Sequence, residues 1–335
     1  MPSSTTGFYG KKSWYKYNGY MTKKMKVILM FAAGVCFLTI LATFLIQENK
    51  NGREDPMVFT TNIDPANKTI NDVATADDQG GNVSFFGEIL DRGGEWFAQN
   101  FNVWQFYQNL ANPYSRYIVL NSGLRKEQVA TILSRELDWN LGDKNKFLAM
   151  DQTVNKKNME GYYTPGNYLV PATTKPLDAY ETIMDRFDEN IRSHYATATD
   201  EVINVDLALK IGSIIEREAA GKRDMKLISG IIWNRIFRDM NLEMDSTLQY
   251  AKGNNKIGWW PKVLSKDKYI NSPYNTYKNA GLPPTPISNV SIAALNAALN
   301  PQKTNCIFYL HDRQGDIHCS ITYENHLANI KKYYK

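Results

Sequence analysis

Two glutamates stand two residues apart at the end of an apolar run, in IGSIIEREAAGKRDMK over residues 211–226. On a helix turning about 100° per residue, Glu218 follows Ile211, Ile214 and Ile215 at helical spacing and continues the stripe that Leu207 begins. Glu216 lies about 200° round, above Gly212 and Ser213. Burial penalises a carboxylate's charged form, so position 218 predicts an acid that holds its proton near neutral pH, as a general acid must. A carboxyl half-buried against apolar side chains is also an arrangement that protonates a glycosidic oxygen. Plainer readings stay open. Glu218 and Lys222 could be an exposed i,i+4 pair contributing about 0.3–0.5 kcal/mol. Glu216 could be a solvated helix charge or a hydrogen-bonder behind the site.

The elements that must position these residues follow from periodicity. Helices are predicted over about 205–220 and 223–239, and a third over about 176–193, where Leu177, Tyr180, Ile183, Met184, Phe187 and Ile191 recur at spacings of three and four. Two short strands in GYYTPGNYLVPATT precede that third helix. Upstream, YIVLNSGLRKEQVATILSREL reads as a strand, a turn and a helix opened by Ser122, with Glu127 downstream. MVFTTNI suggests one short strand. The tail holds the helix SIAALNAAL, a hairpin turning near Asp312–Arg313 and a last helix, TYENHLANIKKYY. Helices and short antiparallel strands come in runs without a βαβ beat, so the class is α+β.

Charge and hydropathy narrow the setting. The net charge is +5, but six lysines and no acid fall within residues 1–26, leaving 33 basic against 34 acidic residues in the rest. A nearly neutral body gives no sign of a nucleic-acid partner. Val27 to Ile46 is 20 residues without a charge, enough to cross a hydrocarbon core of about 30 Å. It is too long for a signal-peptide core and no small-x-small cleavage site follows it. The lysines before it predict a single-pass anchor with its N-terminus in the cytoplasm and residues 47–335 outside. Of three cysteines, Cys306 and Cys319 flank the hairpin, where they could face each other as a disulfide or remain buried thiols. HExxH, CxxC, GxxxxGK[ST] and GxSxG are missing, and the four histidines lack metal-ligand spacing, so no cofactor or metal is expected.

The ordered blocks LALKIGSIIEREA, IIWNRIFRDMNLEMDSTLQYA, SPYNTYKNAGLPPTPISN, ALNPQKTNCIFYL and ITYENHLANIKKY resemble the MltG/YceG-like family of endolytic murein transglycosylases, as does MEGYYTPGNYLVPATT upstream. The resemblance is densest over 205–334 and weak over 55–115. Beyond the cytoplasmic tail at 1–26, and the tether that the polar residues 47–80 suggest, it implies a single-pass anchor (the transmembrane helix at 27–46), a LysM-like module at 81–150 and a catalytic α+β domain with lysozyme-like features at 151–335. The family cleaves peptidoglycan glycan strands internally without water, leaving a 1,6-anhydro-N-acetylmuramic end. Its acid is the second glutamate of its S-I-[VI]-E-x-E block, which falls on Glu218, in agreement with the helical-face argument. Glu216 is the secondary candidate. The implied substrate-binding set is Asn234 and Arg235 of an N-R block, Asp245, Thr247 and Tyr250 of a D-x-T block, and Tyr274, Asn275, Thr276 and Tyr277 of the Y-N-T-Y block. Asp245 could orient a hydroxyl or simply pair with Arg235. Asn275 could be a satisfied loop residue. Trp259 and Trp260 could stack on sugars or pack in the core.

There are departures. Ser246 stands where the family usually has proline, and Asp316-Ile317-His318-Cys319-Ser320 shifts the family's histidine by one, so no role is carried to His318. His326 matches by position, with a helix-surface or capping role as the alternative. The expected partners are peptidoglycan glycan strands, the inner (cytoplasmic) membrane and, as candidates, peptidoglycan synthases. Two other functions compete: a wall-binding scaffold that keeps the fold without catalysis, and a hydrolase that uses water.

Overall fold

Helix α5, Val205–Glu218, runs through the centre of the protein and carries both glutamates. Asn204 starts it, its side chain accepting from the Leu207 N–H. Seven of its residues are buried, from Ala208 through Ile215. It packs across α8 (Ile292–Leu299), a helix of alanines and leucines capped by Ser291. The approach is close enough that a Cβ on Gly212 would meet Val290 Cγ1 at 2.9 Å, so any side chain there would push Val290 aside.

These helices belong to a computed structural model that describes residues 58–71, 114–154, 157–195 and 197–334, all within one unit, Val58–Lys335. The order begins with a hairpin, β1 (Ile63–Asp64) and β2 (Thr69–Ile70), then β3 (Ser115–Leu120). Helices α1 (Lys126–Glu136) and α2 (Leu141–Thr153) lead to β4 (Gly166–Pro171), α3 (Pro176–Asn190) and the short α4 (Thr197–Val202). After α5 come α6 (Lys222–Phe237), α7 (Asp245–Lys252) and α8. Strands β5 (Phe308–His311) and β6 (Ile317–Ser320) precede α9 (Tyr323–Tyr333).

The described strands form three separate antiparallel pairs. In β3, Ile118 and Leu120 are buried while Tyr117 and Val119 are exposed, the period of two expected of a strand with one wet face. β3 pairs with β4 from Ser115↔Pro171 to Leu120↔Gly166. The boundary expected at 150/151 falls inside α2, and this pairing crosses it. β5 and β6 pair in a register that sets Tyr309 opposite Cys319, and Cys306 and Cys319 form a disulfide. Helix α1 is shorter than expected: it begins at Lys126, with Arg125 as N-cap. Ser122 does not open it, because its hydroxyl is taken by Glu216. The stretch 161–174, expected to hold two short strands, holds one, β4. The span expected over 27–46, and residues 81–113 of the LysM-like module, lie outside the described residues. No helix among the described residues is long and apolar enough to cross a membrane.

Candidate active site

Glu218 is the last residue of α5, half-buried on the wall of a cleft of about 640 Å³. The Ser246 N–H, in the first turn of α7, donates to Oε1 at 2.9 Å. The Tyr309 hydroxyl, from β5, donates to Oε2 at 2.8 Å. The carboxyl is therefore held by two donors rather than enclosed by the apolar stripe, which ends at Ile215. The Tyr309 hydroxyl is pushed well above the usual phenol range by burial and then by the Glu218 charge, so it stays protonated. Tyr309 is a site residue that the sequence reading missed. Its signal was the period of two in β5, which turns Tyr309 and His311 away from Leu310.

Four of the expected site residues line this cleft: Glu218, Arg235, Asp245 and Tyr277. Asp245 is exposed at the start of α7 and accepts from the Tyr277 hydroxyl at 2.7 Å. Burial first, and then Asp245, push that phenol up, so it too remains a donor. Arg235 is buried and donates to the carbonyls of Ile307, Asn241 and Leu242. Its ion-pair partner is Glu243 at 3.0 Å, not Asp245, because the guanidinium is aimed at the 241–243 turn. His326 also lines the cleft, its ring stacked on Phe308 at 5.4 Å between centroids. Burial, and then Arg235, lower its pKa. His318 stacks on Tyr333 and pairs with Asp312 outside the cleft lining.

The remaining expected residues fasten the frame. Asn234 donates to the carbonyls of Thr304 and Cys306. Asn275 is fully buried, donating to the carbonyls of Lys268 and Ile270 and accepting from the Tyr277 N–H. Thr247 and Thr276 share a hydroxyl contact at 2.9 Å, and Thr276 also accepts from the Met244 N–H. Tyr250 donates to buried Glu160, and Tyr274 meets Thr285. These hydrogen bonds hold the 241–247 turn against the 274–277 loop. Glu216 is likewise spent: Ser122 Oγ donates to Oε1, and the Ser291 N–H and Oγ both donate to Oε2. Trp259 and Trp260 lie under the guanidinium groups of Arg125 and Arg217. No cluster of His, Cys, Asp or Glu among the described residues could hold a metal ion.

A half-buried carboxyl beside two protonated phenols, Tyr309 and Tyr277, in an open cleft can exchange a proton with a bound molecule. Residues 74–332 match the YceG-like family, and the chain belongs to it. An endolytic murein transglycosylase of Bacillus subtilis is 35% identical over 182 residues, 53% of this chain and 49% of that protein. One from Streptococcus pneumoniae serotype 2 is 31% identical over 179 residues, 52% of this chain and 32% of that protein. The chain thus spans about half the length, or less, of the curated relatives it matches. A crystal structure of a yceG-like protein from Listeria monocytogenes aligns with a TM-score of 0.56 at 28% identity, over 64% of this chain and 76% of that one.

Proposed function

We propose that this protein is an endolytic lytic transglycosylase of peptidoglycan, anchored in the cytoplasmic membrane by residues 27–46, with Glu218 as general acid and then base. The observation that carries the reading is the setting of Glu218, on the wall of an open cleft with two protein donors. Its matched relatives carry the name of that activity. The disulfide between Cys306 and Cys319 supports export, because such bonds persist in oxidising compartments.

The chemistry needs only one carboxyl. The Ser246 N–H can only donate, so Oε1 stays an acceptor and Oε2 is the oxygen through which a proton is exchanged with the substrate. The Tyr309 hydroxyl can turn from donor to acceptor as that proton comes and goes. Oε2 protonates the oxygen that bridges N-acetylmuramic acid to N-acetylglucosamine. As that bond breaks, the substrate's acetamido oxygen bonds to C1, the substrate-assisted route that dispenses with a second carboxylate. The Glu218 carboxylate then takes the proton of the C6 hydroxyl. O6 displaces the acetamido oxygen from C1, closing the 1,6-anhydro ring with no water consumed. Asp245 and Tyr277, paired at the cleft wall, are placed to hold sugar hydroxyls.

The test is digestion of peptidoglycan by the full chain in detergent, with products weighed by mass spectrometry. Anhydro products that vanish in Glu218→Gln are expected. Products heavier by one water would make the enzyme a hydrolase, and unchanged cleavage by the variant would remove Glu218 from the mechanism.

A further inference from the structure

A second cavity, at about 780 Å³ larger than the cleft, opens where α6 begins. Its walls are the first turns of α6, the outer face of α8, the 301–303 loop and the edge of the β1–β2 hairpin. Hydrogen bonds join these walls. The Thr61 hydroxyl donates to the Leu299 carbonyl at 2.9 Å, and the Asn300 amide to the Thr60 carbonyl at 2.8 Å. The Gln302 N–H donates to the Lys226 carbonyl. A side chain on Gly230 would collide with the Gln302 carbonyl, so the loop lies hard against α6. The pocket is formed before any ligand arrives.

Its chemistry is unlike that of the cleft. Lys222, Arg223, Lys226 and Lys303 line it, and no carboxylate does. Lys222, Arg223 and Lys226 have no ion-pair partner among the described residues. Gathering cations without counter-charges opposes folding, and the N-terminus of α6 adds its own positive end. The amides of Asn62, Asn71 and Asn296 complete the wall. Amides suit peptide N–H and C=O groups, and ammonium and guanidinium groups suit carboxylates. The volume is that of a site for a short oligomer rather than a flat patch for a membrane surface. Lys222 follows Glu218 by four residues, so their backbones are at most about 14 Å apart.

We infer that this basic pocket is a subsite for an acidic peptide: the carboxylate-bearing stem peptide of the glycan strand whose sugars occupy the Glu218 cleft. The identity of the peptide rests on the function proposed above; the site for a peptide carboxylate does not. A strand bearing stems is then held at two points, and cleavage favours it over a bare one.

Binding to the full chain in detergent tests the pocket without any turnover. The probes are a synthetic tetrapeptide with free carboxylates, the same peptide with every carboxyl amidated, and vesicles of phosphatidylglycerol. The free acid is expected to bind, the amidated peptide not to, and added salt to weaken binding. Arg223→Gln with Lys226→Gln, both exposed, is expected to weaken it about tenfold without lowering the melting temperature. Equal binding of the amidated peptide, or no effect of the double substitution, overturns the proposal. A substitution that lowers only vesicle attachment assigns the pocket to lipid and also overturns it. In turnover, the double variant should raise KM for stem-bearing strands and leave strands stripped of their stems unaffected. If the wild type cleaves neither, the transglycosylase reading fails, while the peptide titration still decides the pocket.

Discussion

Glu216 and Glu218 leave the same helix end two residues apart and meet opposite surroundings. Glu216 turns toward β3 and α8, and three protein donors from Ser122 and Ser291 converge on it. Glu218 turns toward β5 and α7, takes two donors, and keeps a face to the cleft. On the proposed mechanism, the difference is what separates a fastener from a reagent on one helix. It is not residue type, which is shared, but how many of the carboxyl's hydrogen-bonding directions the protein takes and how many it leaves open to the cleft.

The sharpest way to break this comparison is at Glu218. Glu218→Gln keeps the shape and removes the transferable proton, so kcat on peptidoglycan should fall about 1000-fold with little change in melting temperature. The disulfide bears on the same side of the helix, since it ties the hairpin that carries Tyr309. It closes a loop of 13 residues' separation, so replacing both cysteines by serine should lower unfolding free energy by about 3 kcal/mol, measured in urea. Activity should fall too as Tyr309 loses its fixed place.

Glu216→Ala attacks the other side. It strands the Ser122 and Ser291 donors and should lower stability by about 2 kcal/mol, while kcat per folded molecule stays within about threefold. Lost activity at unchanged stability would exchange the roles of the two glutamates.

Much of this frame was legible in the sequence. The stripe from Leu207 to Ile215 marks α5 because a buried helix must repeat at 3.6 residues, and the apolar runs before and after it mark α3 and α6 for the same reason. The two cysteines flanking the hairpin were visible, but their bond was not fixed by register, which sets Cys319 opposite Tyr309 and leaves Cys306 before β5. What a stripe does not reveal is which polar side chain has a free valence. Asn275 and Thr276 sit in a motif block yet spend themselves on the backbone of their own loop and the neighbouring turn. Tyr309 lies 91 residues beyond the carboxyl it serves, a pairing that no local pattern encodes. Tyr309→Phe deletes that one donor; kcat should fall about tenfold with KM within about twofold, measured against the same strands.

The burial expected of Glu218 is found in full at a third glutamate instead. Glu160 is fully buried, accepting from the Lys126 N–H at 3.0 Å and the Tyr250 hydroxyl at 3.1 Å. Burial, and then repulsion from Glu127, push its pKa up to about 8. The folded protein therefore holds a proton that the unfolded chain has already released, between the ordinary value of 4.5 and about 8. Protons bound in excess by the native state make stability fall as pH rises, so this contribution is whole below about pH 4.5 and gone above about pH 8. Glu160→Gln keeps the neutral shape and cannot ionise. Between about pH 7 and pH 8 the wild type should lose about 1 kcal/mol that the variant keeps, read as the difference in urea unfolding free energies. Parallel stability curves for the two proteins would mean that Glu160 is already ionised in the fold. Burial would then be no guide to proton retention at either glutamate, and the donors alone would distinguish Glu218.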